Sequence, residues 1–289
     1  MRYISVGLAA LLISCSSCYA TKLDQNWQIN GGLKQPESIV QTEDGSGFYV
    51  SNINGQPSAF DGNGFISIIS MSGKIKELKW IDGLNAPKGM ISHLGKLYVA
   101  DINELLEIDI NTKTITKRFK VPKEAFLNDV AVDKQGSIYV SDTANNRIYL
   151  LSDGDWHLWL EDPLLENPNG LYIEDNRLLV TSWGKTRDSS WITEIPGHIQ
   201  SISLQDKKIS DLINNNPIGN LDGLVKIDNE TYMVSDWMNG KILKIDKNGS
   251  INTVLELDQG SADMLYIPGS NHLLIPQMIK NSLISYTVR

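Results

Sequence analysis

The sequence predicts an all-β protein, a six-bladed β-propeller of four-stranded antiparallel blades. Six times along the chain, a short apolar strand opens with a polar or small residue, and a second apolar strand follows. The opening strands begin at 36, 87, 127, 168, 221 and 261, and their partners span 48–52, 97–101, 138–142, 178–182, 232–236 and 273–277. A repeat of about 40 to 50 residues that consists of strands is the pattern of propeller blades.

The two outer strands of each blade follow from further apolar runs, which glycine-containing turns such as 152–154 separate. Third strands are predicted at 64–70, 105–110, 147–152, 198–204, 241–246 and 282–288, and fourth strands at 74–80, 114–121, 155–161, 208–213 and 251–257. The sixth repeat lacks a fourth strand. We expect the segment Gln25–Asn30 to supply it, because pairing the two ends closes the ring and leaves no open sheet edge.

Composition indicates one globular domain over residues 21–289. The chain has 289 residues, of which 41% are hydrophobic, and the repeat spans almost all of it. With 26 Lys and Arg against 34 Asp and Glu, the net charge is −8. This charge argues against nucleic acid or an anionic membrane surface as a partner. We expect a monomer that acts on a small molecule.

Residues 1–20 have the pattern of a secretory signal peptide: Arg2 precedes an apolar stretch, 3–13, and small residues follow. The apolar stretch is too short to span a membrane. Two cleavage sites fit. Segment 12–15 resembles a lipobox, in which Cys15 would carry the lipid anchor, and segment 18–20 fits an ordinary signal peptidase. We expect an exported protein, periplasmic or secreted, either free or anchored as a lipoprotein.

The first polar positions of the repeats should form a ring around one mouth of the propeller channel. The ring consists of Glu37, Lys88, Asn128, Asn169, Asp222 and Ala262. Four of these are hard oxygen donors, a set that suits Ca²⁺, with Mg²⁺, Mn²⁺ or Zn²⁺ as alternatives. The other interpretation is that Asn and Asp at the start of a strand cap turns or bond to backbone. Two carboxylates held together without a cation would repel each other.

Two long connections, 54–63 and 184–197, join second to third strands and should overhang the same mouth. Trp183, Trp191 and Trp237 belong to such connections, and we expect Trp183 and Trp237 to contact substrate. Lys88 either binds an anionic group of the substrate, balances Glu37, or is solvated in a turn. Asp129 and Asp263 each follow a ring residue. They either orient the ring amides or the water in the channel, or they bond to backbone. The predicted substrate contacts are therefore Asn128, Lys88, Trp183 and Trp237, with Asp129 and Asp263 as supporting residues behind them.

The ring motifs resemble those of a known family. The segments Pro36-Glu37-Ser38, Leu127-Asn128-Asp129, Pro168-Asn169-Gly170-Leu171 and Leu221-Asp222-Gly223 resemble the metal-site motifs of the gluconolactonase, regucalcin and luciferin-regenerating enzyme family. The resemblance covers about residues 33–288. It implies a six-bladed propeller that holds one divalent cation at the channel mouth and hydrolyses lactones or phosphotriesters.

The resemblance also implies roles for single residues. Glu37, Asn169 and Asp222 would be metal ligands, Asn128 a ligand or substrate contact, and Asp222 also the general base or nucleophile. The sequence departs from the gluconolactonase branch at Phe126, where that branch commonly has Arg. Together with Trp183 and Trp237, Phe126 indicates a less polar substrate than a sugar lactone.

Three functions therefore compete. The first is an exported, metal-dependent hydrolase of a lactone or related ester or phosphotriester. The second is a non-enzymatic propeller of the NHL kind, which would bind a protein or glycan through loops 54–63 and 184–197. The third is a condensing enzyme similar to strictosidine synthase. The four histidines are predicted in turns or outer strands, so we expect no histidine base: His93, His157, His198 and His272.

Overall fold

The computed structural model describes residues 21–187, 191–213 and 216–289. These residues form twenty-six strands and one short 3-10 helix, Pro163–Leu165. The predicted signal peptide, including Cys15 and Cys18, lies outside the described residues. Among the described residues, no helix has the length and apolar character needed to cross a membrane.

The described strands group into six four-stranded sheets, which are the blades, and one small hairpin. The strand that precedes the first blade is β1 (Leu23–Asn30). Blade one contains β2 (Pro36–Gln41), β3 (Gly47–Asn52), β4 (Gly64–Ser70) and β5 (Ile75–Leu84). Blade two contains β6 (Pro87–His93), β7 (Lys96–Asp101), β8 (Glu104–Asp109) and β9 (Thr114–Lys120). Blade three contains β10 (Leu127–Val132), β11 (Ile138–Asp142), β12 (Arg147–Ser152) and β13 (Asp155–Glu161).

Blade four carries the hairpin between its second and third strands. It contains β14 (Pro168–Glu174), β15 (Arg177–Ser182), β18 (Ile199–Ser203) and β19 (Ile209–Asp211), and the hairpin is β16 (Gly184–Thr186) with β17 (Thr193–Pro196). Blade five contains β20 (Leu221–Lys226), β21 (Thr231–Asp236), β22 (Lys241–Asp246) and β23 (Ile251–Glu256). Blade six contains β24 (Leu265–Ile267), β25 (His272–Gln277) and β26 (Ser282–Val288).

The ring closes as the sequence predicts. Strand β1 pairs antiparallel with β26, from Leu23 opposite Val288 to Asn30 opposite Ser282, and so becomes the outer strand of blade six. The opening strand of blade six is shorter than predicted. Only an isolated bridge between Ser261 and Gln277 marks its start, before β24 begins at Leu265.

The core consists of apolar layers between neighbouring blades, with one cluster at each of the six junctions. Side chains of a strand alternate between its two faces, and here each face packs on a different neighbour. In β3, Phe48 and Val50 pack against blade six, whereas Tyr49 packs against blade two. This explains why the second strands are continuous apolar runs, since both faces are buried.

Each opening strand of blades one to five contains a β-bulge at its ring residue. In blade one, Pro36 pairs with Asn52 and Ile39 with Val50, so that Glu37 and Ser38 together lie opposite Ser51. The same shift occurs in β6, β10, β14 and β20. A bulge re-aims a side chain, and the repeated shift accounts for the common direction of the ring residues.

Candidate active site

A cavity of about 590 Å³ lies at the mouth predicted from the ring positions. Five of the six ring residues line it: Glu37, Lys88, Asn128, Asn169 and Asp222. The sixth, Ala262, is fully buried and does not line the cavity. We call these five residues the floor. The structure therefore brings together ring residues that lie some 40 to 50 residues apart in the chain.

Hydroxyl groups opposite the bulges hold the floor backbone in place. Ser141 Oγ accepts a hydrogen bond from Asp129 N at 2.9 Å and donates to the carbonyl of Asn169 in the next blade at 2.7 Å. Thr181 Oγ1 donates to the carbonyl of Asp222 at 2.6 Å. Since a bulge leaves backbone groups unpaired, these hydroxyls satisfy them and join successive ring residues across the blade junctions.

The second strands of blades one and five show the same arrangement. Ser51 Oγ accepts from Ser38 N at 2.9 Å, and Ser235 Oγ accepts from Gly223 N at 2.9 Å. Sequence reasoning did not assign these hydroxyls. The signal was present, because Ser or Thr recurs at one position of the second strands, as in FYVSN, IYVSD and YMVSD.

The carboxylates of the floor, and those of Asp129 and Asp263 next to it, repel one another. Glu37 and Asp222 are only 3% and 4% exposed. Burial, and then the charge of Asp222, raises the pKa of Glu37 well above its usual range. Burial and the charge of Asp263 do the same to the pKa of Asp222 and of Asp129. Burial also raises the pKa of Asp263, to about 6. A cation on the floor would relieve this repulsion.

Two floor oxygens have no hydrogen-bond donor within the described residues: Glu37 Oε2 and Asn169 Oδ1. Asn169 Nδ2 donates to the carbonyl of Leu221 at 3.3 Å, and Asn128 Nδ2 donates to Thr143 Oγ1 at 3.3 Å. Buried acceptors without donors are uncommon in folded proteins. Within the described residues no group of three His, Cys, Asp or Glu side chains fits a metal. A cation here would therefore need the two amides as well as the two carboxylates, and this all-oxygen set fits Ca²⁺.

Lys88 is the positive group of the floor and is not a solvated lysine in a turn. It is only 2% exposed. Its Nζ donates to the carbonyl of Ala86 at 2.9 Å and lies 4.3 Å from the centre of the Phe126 ring. Burial lowers the pKa of Lys88 to about 8, against the opposing charges of Glu37 and Asp101.

Asp129 and Asp263 do not line the cavity. Asp129 accepts backbone hydrogen bonds from Leu171 at 2.6 Å and Val130 at 2.7 Å. Asp263 accepts from the hydroxyl of Ser38 at 2.6 Å. Of the two interpretations made from the sequence, these contacts favour backbone bonding for Asp129. Through Ser38, Asp263 contacts the strand that carries Glu37.

Aromatic side chains form the walls above the floor. Phe126, Trp183, Trp191 and Trp237 all line the cavity. Trp183 and Trp237 lie with their ring centres 5.8 Å apart, and Phe126 and Trp191 lie 5.5 Å apart. Both long connections overhang the floor as expected: Pro57 comes from 54–63, and Trp191, with Ile192 and Thr193, comes from 184–197.

A family model described as "SMP-30/Gluconolactonase/LRE-like region" matches residues 69–272, which is more than half of the chain. The chain belongs to this family. The matched region of this SMP-30/gluconolactonase-like protein contains Lys88, Asn128, Asn169 and Asp222, and it begins after Glu37. No curated protein matches the chain.

Solved propellers resemble this SMP-30/gluconolactonase-like protein in fold. A streptogramin B lyase is 14% identical, with a TM-score of 0.65 over 93% of this chain and 98% of that one. A gluconolactonase from Xanthomonas campestris is 13% identical, with a TM-score of 0.67 over 94% and 96%. A catalytically inactive variant of virginiamycin B lyase from Staphylococcus aureus, solved with quinupristin, is 15% identical, with a TM-score of 0.61 over 92% and 99%.

Several lining residues of this family member were not predicted as site residues. Except for Thr193, which begins β17, they lie outside the strands: Ile53, Pro57, Thr143, Trp191, Ile192, Thr193, Asn220, Met238 and Met278. Asn220 Nδ2 donates to the carbonyl of Trp183 at 2.8 Å, so Asn220 positions a wall residue. Within the described residues, none of the four histidines lines the cavity.

Proposed function

We propose that this protein is a divalent-metal-dependent hydrolase, which acts on a lactone or a related ester or phosphotriester at the mouth of the propeller. One observation carries the proposal. The buried carboxylates Glu37 and Asp222 lie on one cavity floor with the amides of Asn128 and Asn169, and two of these oxygens lack a donor. Membership of the family supports the same function.

Glu37, Asn128, Asn169 and Asp222 are the residues that would hold the cation, most favourably Ca²⁺, with Mg²⁺, Mn²⁺ or Zn²⁺ as alternatives. When bound, the cation would polarise the carbonyl or phosphoryl oxygen of the substrate and stabilise the charge that develops there. The chain's own contribution begins with the hydroxyls opposite the bulges, which fix the backbone of the floor before a substrate arrives.

Asp222 is the proposed base or nucleophile. Its carboxylate either accepts the proton of a water that attacks the carbonyl or phosphoryl centre, or attacks that centre itself and expels the ester oxygen, after which water hydrolyses the acyl- or phosphoryl-enzyme. Lys88 supplies an ammonium donor on the same floor, which can hydrogen-bond an oxygen of the substrate. The aromatic walls exclude bulk water from Asp222 and Lys88. The electrostatic interactions of these charged groups are stronger as a result.

The first test is thermal unfolding of the purified protein in excess Ca²⁺ and in chelator, together with Asp222→Asn. A ligand at 100 times its Kd stabilises a protein by about 2.7 kcal/mol. For a domain of this size the Tm should rise by roughly 5 to 10 °C. We expect this rise in the wild type, its loss in Asp222→Asn, and its retention in Asp153→Asn, which changes an exposed carboxylate in a turn between outer strands.

Turnover is then measured with lactones and phosphotriesters in ¹⁸O-labelled water. Hydrolysis incorporates one labelled oxygen into the product, whereas ring opening by elimination does not. This measurement matters because two of the solved proteins with a similar fold are lyases. Turnover that survives in Asp222→Asn would refute the assigned role of Asp222.

The binding propeller remains the second candidate function. Phe60, Ile192 and Ile195 are exposed apolar residues on the two long connections, as a partner-binding surface requires. If Ca²⁺, Mg²⁺ and Mn²⁺ all leave the Tm unchanged and no ester is cleaved, this second function is the better account.

A further inference from the structure

We propose that the substrate of this site carries a flat, apolar aromatic group, which packs on the aromatic walls while its lactone or ester group lies on the floor. The inference rests on the hydrolase function proposed above, because it concerns the same cavity. It names the part of the substrate that does not react, and it assigns selectivity to Trp237 and Phe126.

The polar edges of two wall residues are already bonded within the protein. Trp183 Nε1 donates to the carbonyl of Trp191 at 3.3 Å, and Trp237 Nε1 contacts Met278 Sδ at 3.1 Å. A ligand that packs on these walls therefore meets ring carbons rather than indole N–H donors. A hydroxylated sugar lactone would lose the hydration of its hydroxyl groups there without gaining hydrogen bonds from those donors.

Polar and apolar groups are separated along the depth of the cavity. The charged groups, Lys88, Glu37 and Asp222, belong to the floor, and the walls continue to the surface through Ile192 and Met238, which are exposed. A volume of about 590 Å³ is far more than a lactone ring needs and lies in the range of drug-sized ligands. The matching ligand has one small polar end and one bulky apolar end.

The backbone of Trp191 supports the same conclusion. Its φ of 62° lies in the left-handed region, which bulky residues rarely adopt. This backbone conformation places the Trp191 ring 5.5 Å from Phe126, whose own ring lies 4.3 Å from Lys88 Nζ. The aromatic surface thus extends from the wall to the floor.

The test measures binding, so that it does not depend on turnover. Calorimetric titrations compare two lactams, dihydroquinolinone and piperidone, which share the six-membered ring and differ by the fused benzene ring. We expect dihydroquinolinone to bind at least about 10-fold more tightly. Trp237→Ala and, separately, Phe126→Ala should each remove most of that preference. Trp156→Ala should retain it, because Trp156 stacks on Tyr149 in the outer part of blade three, away from the cavity.

The proposal is overturned if wild-type protein binds the two lactams equally, a result that does not depend on any variant folding. It is also overturned if the preference survives in both folded variants, with folding checked by thermal melts. Turnover of dihydrocoumarin and of gluconolactone is measured in parallel. A preference for dihydroquinolinone without turnover of any ester would support the aromatic ligand and refute the hydrolase function. Equal binding of the two lactams with turnover of gluconolactone would support the hydrolase function and refute the aromatic ligand.

Discussion

Lys88 places a positive charge beside a group of oxygens proposed to bind a cation. The charge of Lys88 lowers the pKa of Glu37, which other groups raise, so Lys88 partly substitutes for a metal in balancing the floor. The same charge must weaken the binding of a real cation. We therefore expect the ammonium group to have a use in the reaction, namely to hydrogen-bond an oxygen of the substrate.

Lys88→Met, which keeps the length and removes the charge, should separate these two effects. We expect the Kd for Ca²⁺ to tighten by about 5-fold, on the order of 1 kcal/mol of lost repulsion. We expect kcat/KM to fall by about 100-fold, the cost of removing one donor to a reacting oxygen. Lys88→Arg keeps the charge and serves as the control for metal affinity. Weaker Ca²⁺ binding in Lys88→Met would show that Lys88 holds the floor in place instead.

The positions of the floor residues could be predicted because they recur with the blade period. Glu37, Asn128, Asn169 and Asp222 each open a repeat, and the fold brings equivalent positions together. Thr143 and Asn220 could not be found in this way, because they lie in connecting segments whose paths depend on tertiary packing. The sequence also could not decide whether Lys88 is buried, since a Pro-Lys-Gly segment also suits an exposed turn.

At the scale of the strand, the bulge determines which side chains reach the cavity. Two residues of the opening strand lie opposite one residue of its partner, and the next blade approaches closely at the second of them. A Cβ built on Gly170 would lie 2.2 Å from the carbonyl oxygen of Asp222. Glycine is therefore required at that position, because its absent side chain allows the backbone of blade five to approach blade four.

Gly170→Ala should displace Asp222 without altering a floor side chain. We expect a loss of about 1 to 3 kcal/mol in the free energy of unfolding, the usual cost of overpacking, and weaker binding of Ca²⁺. Gly269→Ala is the matched control, since a Cβ there meets no atom within 4 Å and its φ is not positive. Denaturant unfolding and calorimetric Ca²⁺ titration measure the two effects. Wild-type Ca²⁺ affinity in Gly170→Ala would show that the floor tolerates movement of blade five.

The strands of the blades could be predicted, and the hairpin inserted in blade four could not. Strands β16 and β17 have only three and four residues, too few to show an alternation of apolar and polar residues. The bulges also escaped prediction, because an extra residue in a pairing register leaves no mark in a single apolar run.

For the whole molecule, the closure of the ring of blades determines how near the carboxyl groups lie to one another. The pairing of β1 with β26 holds the six blades in a closed ring. This closed ring holds Glu37, Asp129 and Asp222 in buried positions, with Asp263 half-buried beside them, and their charges interact. The closure of the ring of blades was predictable from the missing outer strand. The extent of carboxylate burial was not predictable, because it depends on how far the walls cover the mouth.

The raised pKa values of these four carboxyl groups determine how the stability of the metal-free protein depends on pH. A carboxyl group whose pKa is higher in the folded than in the unfolded state binds more protons when folded, so stability falls as the pH rises through that window. The window extends from about 4, the unfolded value, through about 6 for Asp263 and higher for Glu37, Asp129 and Asp222.

We therefore expect the Tm in chelator to fall between pH 5 and pH 7.5, with each group contributing on the order of 1 kcal/mol. Lys88, with a pKa of about 8, stays mainly protonated in this range. Saturating Ca²⁺ should reverse the trend, because it binds the deprotonated ligands, and Asp222→Asn should flatten it. Thermal melts at several pH values measure this. A metal-free Tm that rises steadily from pH 5 to 7.5 would mean that the four carboxylates do not govern the stability of the ring.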